Sequence, residues 1–140
     1  MFSNILVAAN LARPEDTVRA LKTGQALLSD AGRLTLATVI DAGSVNFFPH
    51  IPSQSPAETE QAARQELRRL LEQNTPPDLS CHVLITHGRE GRSLVKAVNQ
   101  LGADLLVLTA AVAQPQRVLL SDPVTHLSQF APCNLLLLRR

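Results

Sequence analysis

Five short, nearly uninterrupted apolar runs recur along this chain, each separated from the next by a stretch with helical periodicity. They fall at Asn4–Asn10, Leu34–Ile40, Cys81–Thr86, Ala103–Leu108 and Asn134–Leu138. A strand wetted on one face alternates apolar with polar residues, whereas one covered on both faces has no need to. Strands of the covered kind, alternating with amphipathic helices, demand a parallel sheet with helices on both faces. Right-handed crossovers then leave few ways of winding it. The predicted fold is α/β: a single doubly wound, Rossmann-like, five-stranded parallel sheet occupying residues 1–140 as one domain. No internal repeat, linker or low-complexity segment interrupts it.

The helical stretches carry their own punctuation. Pro14 opens the first, with Glu15 and Asp16 in its first turn at the positive end of the helix dipole. Val18, Leu21 and Leu28 share its apolar side, and Gly32 is expected to end it. The second runs from about Pro56 to Gln73, with Ala63, Leu67, Leu70 and Leu71 at helical spacing. Leu94, Val95, Val98 and Leu101 make the stripe of a third. After the fourth strand a Pro-containing loop, Thr109–Arg117, leads to Ser121-Asp122-Pro123, which signals a helix start capped by a carboxylate.

Composition removes several classes of function. With 45% hydrophobic and 18% charged residues the chain has the balance of a globular protein. A net charge of +1 offers nothing to nucleic acid or to an anionic membrane. Four Phe with no Trp or Tyr make a poor base-stacking platform. No apolar run approaches the roughly 18 residues of a membrane span, and no charged-then-apolar leader is visible, so the expected location is cytoplasmic. Cys81 and Cys133 form neither a metal-binding spacing nor a disulfide framework.

The runs resemble the universal stress protein family over the whole chain. Ile5-Leu6-Val7-Ala8-Ala9-Asn10 is similar to that family's opening strand, and Thr38-Val39-Ile40-Asp41 to its second. Gly88 with Leu94, then Gly102-Ala103-Asp104-Leu105-Leu106-Val107, resembles its third-helix region and fourth strand. Phe130-Ala131-Pro132-Cys133-Asn134-Leu135-Leu136-Leu137 resembles its ending. The resemblance implies strand order 3-2-1-4-5 and a homodimer joined along the fifth strands, through Leu135, Leu136, Leu137 and Leu138. It also implies, for many members, ATP bound between the ends of the first and fourth strands, the topological switch point.

Residue by residue, the family's phosphate-binding glycines are replaced. Glycines let backbone N–H groups approach phosphate oxygens that a Cβ would hold off. Here Thr109 stands at the first glycine, Ala110–Gln116 contains none, Ser121 replaces the next, and Asp122 replaces the hydroxyl residue. Asn10 takes the place of an acid at the end of the first strand. A carboxylate capping a helix contributes about 1 kcal/mol and uses the donors a phosphate would need. Like charge at roughly 4 Å adds about 1–4 kcal/mol of repulsion. Together these weaken phosphate binding by roughly one to three orders of magnitude.

The expected function is therefore a dimeric, non-enzymatic stress-response protein that acts through protein contacts, with no cofactor. The alternative is an ATP- or AMP-binding stress sensor using Ala9, Asn10, Val39, Thr109, Ser121 and Asp122, with Mg²⁺ bridging Asp122 to phosphate. A nucleotide hydrolase needs a placed water and a base, which the sequence does not identify.

The remaining features have plain readings. His87-Gly88-Arg89-Glu90-Gly91-Arg92 is read as a turn and solvated helix start rather than an anion site. His50, His82, His87 and His126 are too scattered for a metal. Ser121, Asp122 and His126 lack the nucleophile elbow of a hydrolytic triad. Asp41 and Asp104 are expected to cap loops. Cys133 is expected to be an inert core thiol; for Cys81, near a strand start, an exposed and oxidisable thiol is one open reading, with only His82 nearby in sequence to lower its pKa. Phe47, Phe48 and Ile51 are expected to cover the C-terminal edge of the sheet, with an apolar patch for an unidentified protein partner as the alternative.

Overall fold

The computed structural model describes residues 1–41, 55–110 and 123–140. In chain order the elements are β1 (Phe2–Ala8), α1 (Pro14–Leu27), β2 (Leu28–Ile40), α2 (Pro56–Asn74), β3 (Ser80–His87), α3 (Glu90–Leu101), β4 (Leu105–Ala110), α4 (Pro123–Phe130) and β5 (Asn134–Arg139). All neighbouring strands pair in parallel, in the order β3-β2-β1-β4-β5. Both the α/β class and the strand order agree with the expectation.

Alternation along the strands sorts the core into two layers. Ile5, Val7, Leu34, Leu36, Leu105 and Val107 face α1 and α2, meeting Ala20, Leu21, Ala63, Leu67 and Leu70. Leu6, Ala8, Ala37, Leu106 and Leu108 face the other way, toward Leu94, Ala97 and Val98 of α3 and Leu127 of α4. Ile5, Leu6 and Val7 retain no exposed surface. At about 1.5–3 kcal/mol for each fully buried large side chain, these two layers are the main source of stability.

The helix stops depart from expectation in one place. Gly32 does not end α1: the helix closes at Leu27, and Leu28 is already extended with φ −79° and ψ 136°. Leu28 therefore belongs to β2, where it pairs with Phe2, and not to the apolar side of α1. Between the Phe2–Leu28 and Asn4–Arg33 pairs β1 advances two residues and β2 advances five, so three extra residues bulge out of the ladder. A Cβ on Gly32 would stand 2.5 Å from Leu28 Cδ1 and 2.9 Å from the Ser29 carbonyl oxygen. Gly32 is needed for that close fold-back, not for a helix stop. Gly102, at φ 65°, does close α3, its N–H donating to the Val98 carbonyl. Ser55 caps α2, its Oγ accepting the Glu58 N–H at 3.2 Å.

Candidate functional site

A doubly wound sheet offers ligands the crevice at the C-terminal ends of its strands, where the order reverses between β1 and β4. The strands end there on small residues. Ala8 ends β1 and Ala9 follows it, and Ala37, Thr38 and Val39 approach the end of β2. At this end of the sheet, beside the ends of β1 and β2, lies a cleft of about 310 Å³ lined by Ala8–Leu11, Ala37–Val39, Asp41, Glu90 and Leu94. This is near the lower limit for a small-molecule site, roughly 300 Å³.

Three of the residues singled out from sequence meet in this cleft: Ala9, Asn10 and Val39. Thr109 lies at the same end of the sheet but outside the lining; it is half-buried on β4 and paired with Leu138. Ser121 and Asp122 fall outside the described residues, as do His50, Phe47, Phe48 and Ile51. Pro123 is the first residue of α4.

Asn10 is heavily committed to the local backbone. Its Oδ1 accepts the Ala12 N–H at 3.0 Å, its N–H donates to Thr17 Oγ1 at 2.9 Å, and its carbonyl accepts the Arg13 N–H at 3.1 Å. This is an Asx turn feeding the chain into α1. The lining also carries two carboxylates, Asp41 and Glu90, that the sequence reading did not assign to a site. Glu90 sits in the first turn of α3, where the helix dipole favours it. Position alone signals both: one follows a strand at the switch-point end, and the other begins a helix facing it. Carboxylates accept hydrogen bonds from hydroxyls and amines and repel phosphate oxygens.

The other chemical candidates resolve into structure. The His87 ring lies 2.8 Å from Glu60 Oε1, and Ser93 Oγ donates to the His87 carbonyl, so this stretch is a braced turn and helix start. His126 packs against Gly91 and stacks on Phe130 at 4.7 Å between ring centres. Cys81, whose exposure the sequence leaves open, is half-buried because α2 covers one side of β3. Burial raises its pKa, and the Thr75 hydroxyl only partly offsets this, which makes the thiol less reactive. Among the described residues no three His, Cys, Asp or Glu converge as metal ligands. No described helix is long and apolar enough to cross a membrane.

The sequence model of the universal stress protein family matches residues 1–139. The chain belongs to that family. Solved structures agree on the fold. The hypothetical protein MJ0577 superposes with a TM-score of 0.77 at 16% identity, covering 100% of this chain and 97% of that one. A universal stress protein in complex with cAMP gives 0.69 at 16% identity, covering 99% and 97%. A family member from Arabidopsis thaliana with AMP bound gives 0.59 at 13% identity, covering 99% and 92%. No protein with a curated description matches the chain. At these identities the universal stress likeness extends to the fold; the chemistry of the cleft has to be argued from this chain's own residues.

Proposed function

We propose that this universal stress protein is a homodimeric, non-enzymatic stress-response protein that acts through protein contacts, and that its switch-point cleft does not hold the phosphates of ATP. The observation that carries the reading is β5. It is the terminal strand of the sheet, with β4 as its neighbour. Leu136 and Leu138 pack toward one core layer and Leu135 and Leu137 toward the other, yet all four remain half-buried. An edge that is apolar on both faces and open along its ladder invites a second strand. A copy of the same strand across a two-fold axis satisfies both needs. Light scattering is expected to give the mass of a dimer; a stable monomer refutes this part. The same reading places the protein in the cytoplasm, where free thiols such as Cys81 and Cys133 persist.

Three acids support the phosphate part of the proposal: Asp122 before α4, and Asp41 and Glu90 in the cleft. The second reading, an ATP or AMP sensor using Ala9, Asn10, Val39, Thr109, Ser121 and Asp122, draws on the cleft itself and on the relatives solved with cAMP and AMP. Mg²⁺ belongs to that reading, as the bridge between Asp122 and a phosphate. Isothermal titration with ATP–Mg²⁺ separates the two. No saturable heat is expected at micromolar concentrations, and the double change Asp122→Ser with Thr109→Gly is expected to create binding. Micromolar affinity in the unaltered protein makes the sensor reading the correct one.

A further inference from the structure

At the sheet edge opposite β5, a groove of about 700 Å³ opens where the last turns of α2 overhang β3, and Arg68, Leu71, Glu72, Leu79, Cys81 and Val83 are in its lining. β3 is the other terminal strand, neighbouring only β2 among the described strands. Exposed edges are normally blunted by bulges, prolines or lysines. Among the described residues this one is not: its ladder to β2 runs unbroken from Arg33–Ser80 to Ile40–His87, and Ser80–His87 contains no Pro or Lys. Its outer backbone groups therefore form a regular row.

Cover is incomplete on the same side. Cys81, Val83 and Ile85 pack on the layer under α1 and α2 but stay half-buried, while Ile5 and Val7 in the centre of that layer are sealed. Arg68 and Glu72 stand on the overhanging wall, and among the described residues neither forms an ion pair, although neighbouring Arg69 pairs with Glu66. Four residues of helix span about 6 Å and two residues of strand about 6.8 Å, so alternate side chains of an added strand match the Arg68–Glu72 spacing.

We propose that the β3 edge accepts an extended polypeptide segment of a partner protein as an additional strand, with an acidic and a basic side chain two residues apart meeting Arg68 and Glu72. Backbone pairing with β3 supplies the affinity, and the charge pair supplies selectivity. Leu71, Leu79 and Val83 take the aliphatic stems of the two charged residues. The inference gives the protein-contact reading a surface of its own. It lies at the edge opposite the dimer strand, so either can fail without the other.

The probe is a fluorescein-labelled, amidated heptapeptide, Thr-Val-Glu-Val-Lys-Val-Thr, followed by anisotropy. Saturable binding is expected, tighter than that of Thr-Val-Lys-Val-Lys-Val-Thr. Arg68→Glu, an exposed change that leaves the core intact, is expected to weaken the first peptide roughly three- to tenfold and to invert the preference. Bound peptide is expected to slow alkylation of Cys81 without affecting Cys133. Absence of saturable binding, equal affinity for the two peptides in both proteins, or an unchanged Cys81 rate overturns the proposal. Binding of decanoate with the peptide silent would assign the groove to a small amphiphile instead.

Discussion

Asp104 is the residue where sequence position and tertiary role separate most clearly. Its Oδ2 accepts the Ser3 N–H at 3.0 Å and the Ser3 hydroxyl at 3.1 Å, and its Oδ1 accepts the Asn4 N–H at 3.1 Å. Its own N–H donates to the Asn4 carbonyl, and its carbonyl receives the Asn134 side-chain amide. One residue thus ties together the starts of β1, β4 and β5. Burial pushes its pKa up, but the hydrogen bonds from Ser3 and Asn4 outweigh that and hold it below the ordinary carboxylate value. A depressed folded pKa gives stability that is fully present above the unfolded value, near pH 4, and is lost as pH falls through the folded one. Asp104→Ala is expected to cost about 1–3 kcal/mol at pH 7. The deficit should shrink below about pH 4, as urea midpoints measured against pH will show. The sequence marks Asp104 as a cap, but its capping partners lie a hundred residues away in the chain. The Cys133 thiol beside it, expected in the core, is half-buried; burial first and the Asp104 carboxylate second push its pKa up.

Among the elements, the two glycines near helix ends show how similar local signals acquire different meanings. Gly102 holds φ 65° and has open space around the position of a Cβ, so its cost to any other residue is conformational. Gly102→Ala is expected to destabilise the fold by about 1–2 kcal/mol, measured as a shift in the urea midpoint with unchanged slope. Gly32 carries the same sequence cue but sits inside β2, where the cost to a side chain is steric contact with Leu28 and Ser29. Propensity could not distinguish the cases, because what overrides the stop signal is the pairing of Leu28 with Phe2, a contact between distant segments. α2 was legible nearly throughout: Pro56 starts it, and Ala63, Leu67, Leu70 and Leu71 are its buried face.

For the whole molecule, the first helix and the last strand are pinned together. Asp16 Oδ2 lies 2.9 Å from Arg13 Nε and 3.1 Å from Arg140 Nε, and Arg19 donates to the Arg139 carbonyl. The buried Asp16 therefore bridges Arg13, just ahead of α1, to Arg140, just after β5, and fixes the last strand against the first helix. In the dimer proposed here, Leu136→Arg is expected to abolish association, because a guanidinium cannot be buried there without a partner. Sedimentation or light scattering should return monomer or aggregate; an undisturbed dimer would place the interface elsewhere.

The sequence by itself determined the fold class, the parallel sheet and the positions of the helices, because apolar runs and helical stripes are local patterns that state which faces must be buried. Through its likeness to a family it also determined the strand order. Only the tertiary structure decided which of the candidate site residues share a cleft, that Asp41 and Glu90 line it, that Asn10 is bound into a turn, and that β3 has a groove beside it. Each depends on where chain ends and helix starts arrive relative to one another, and those distances are set by packing between segments far apart in sequence.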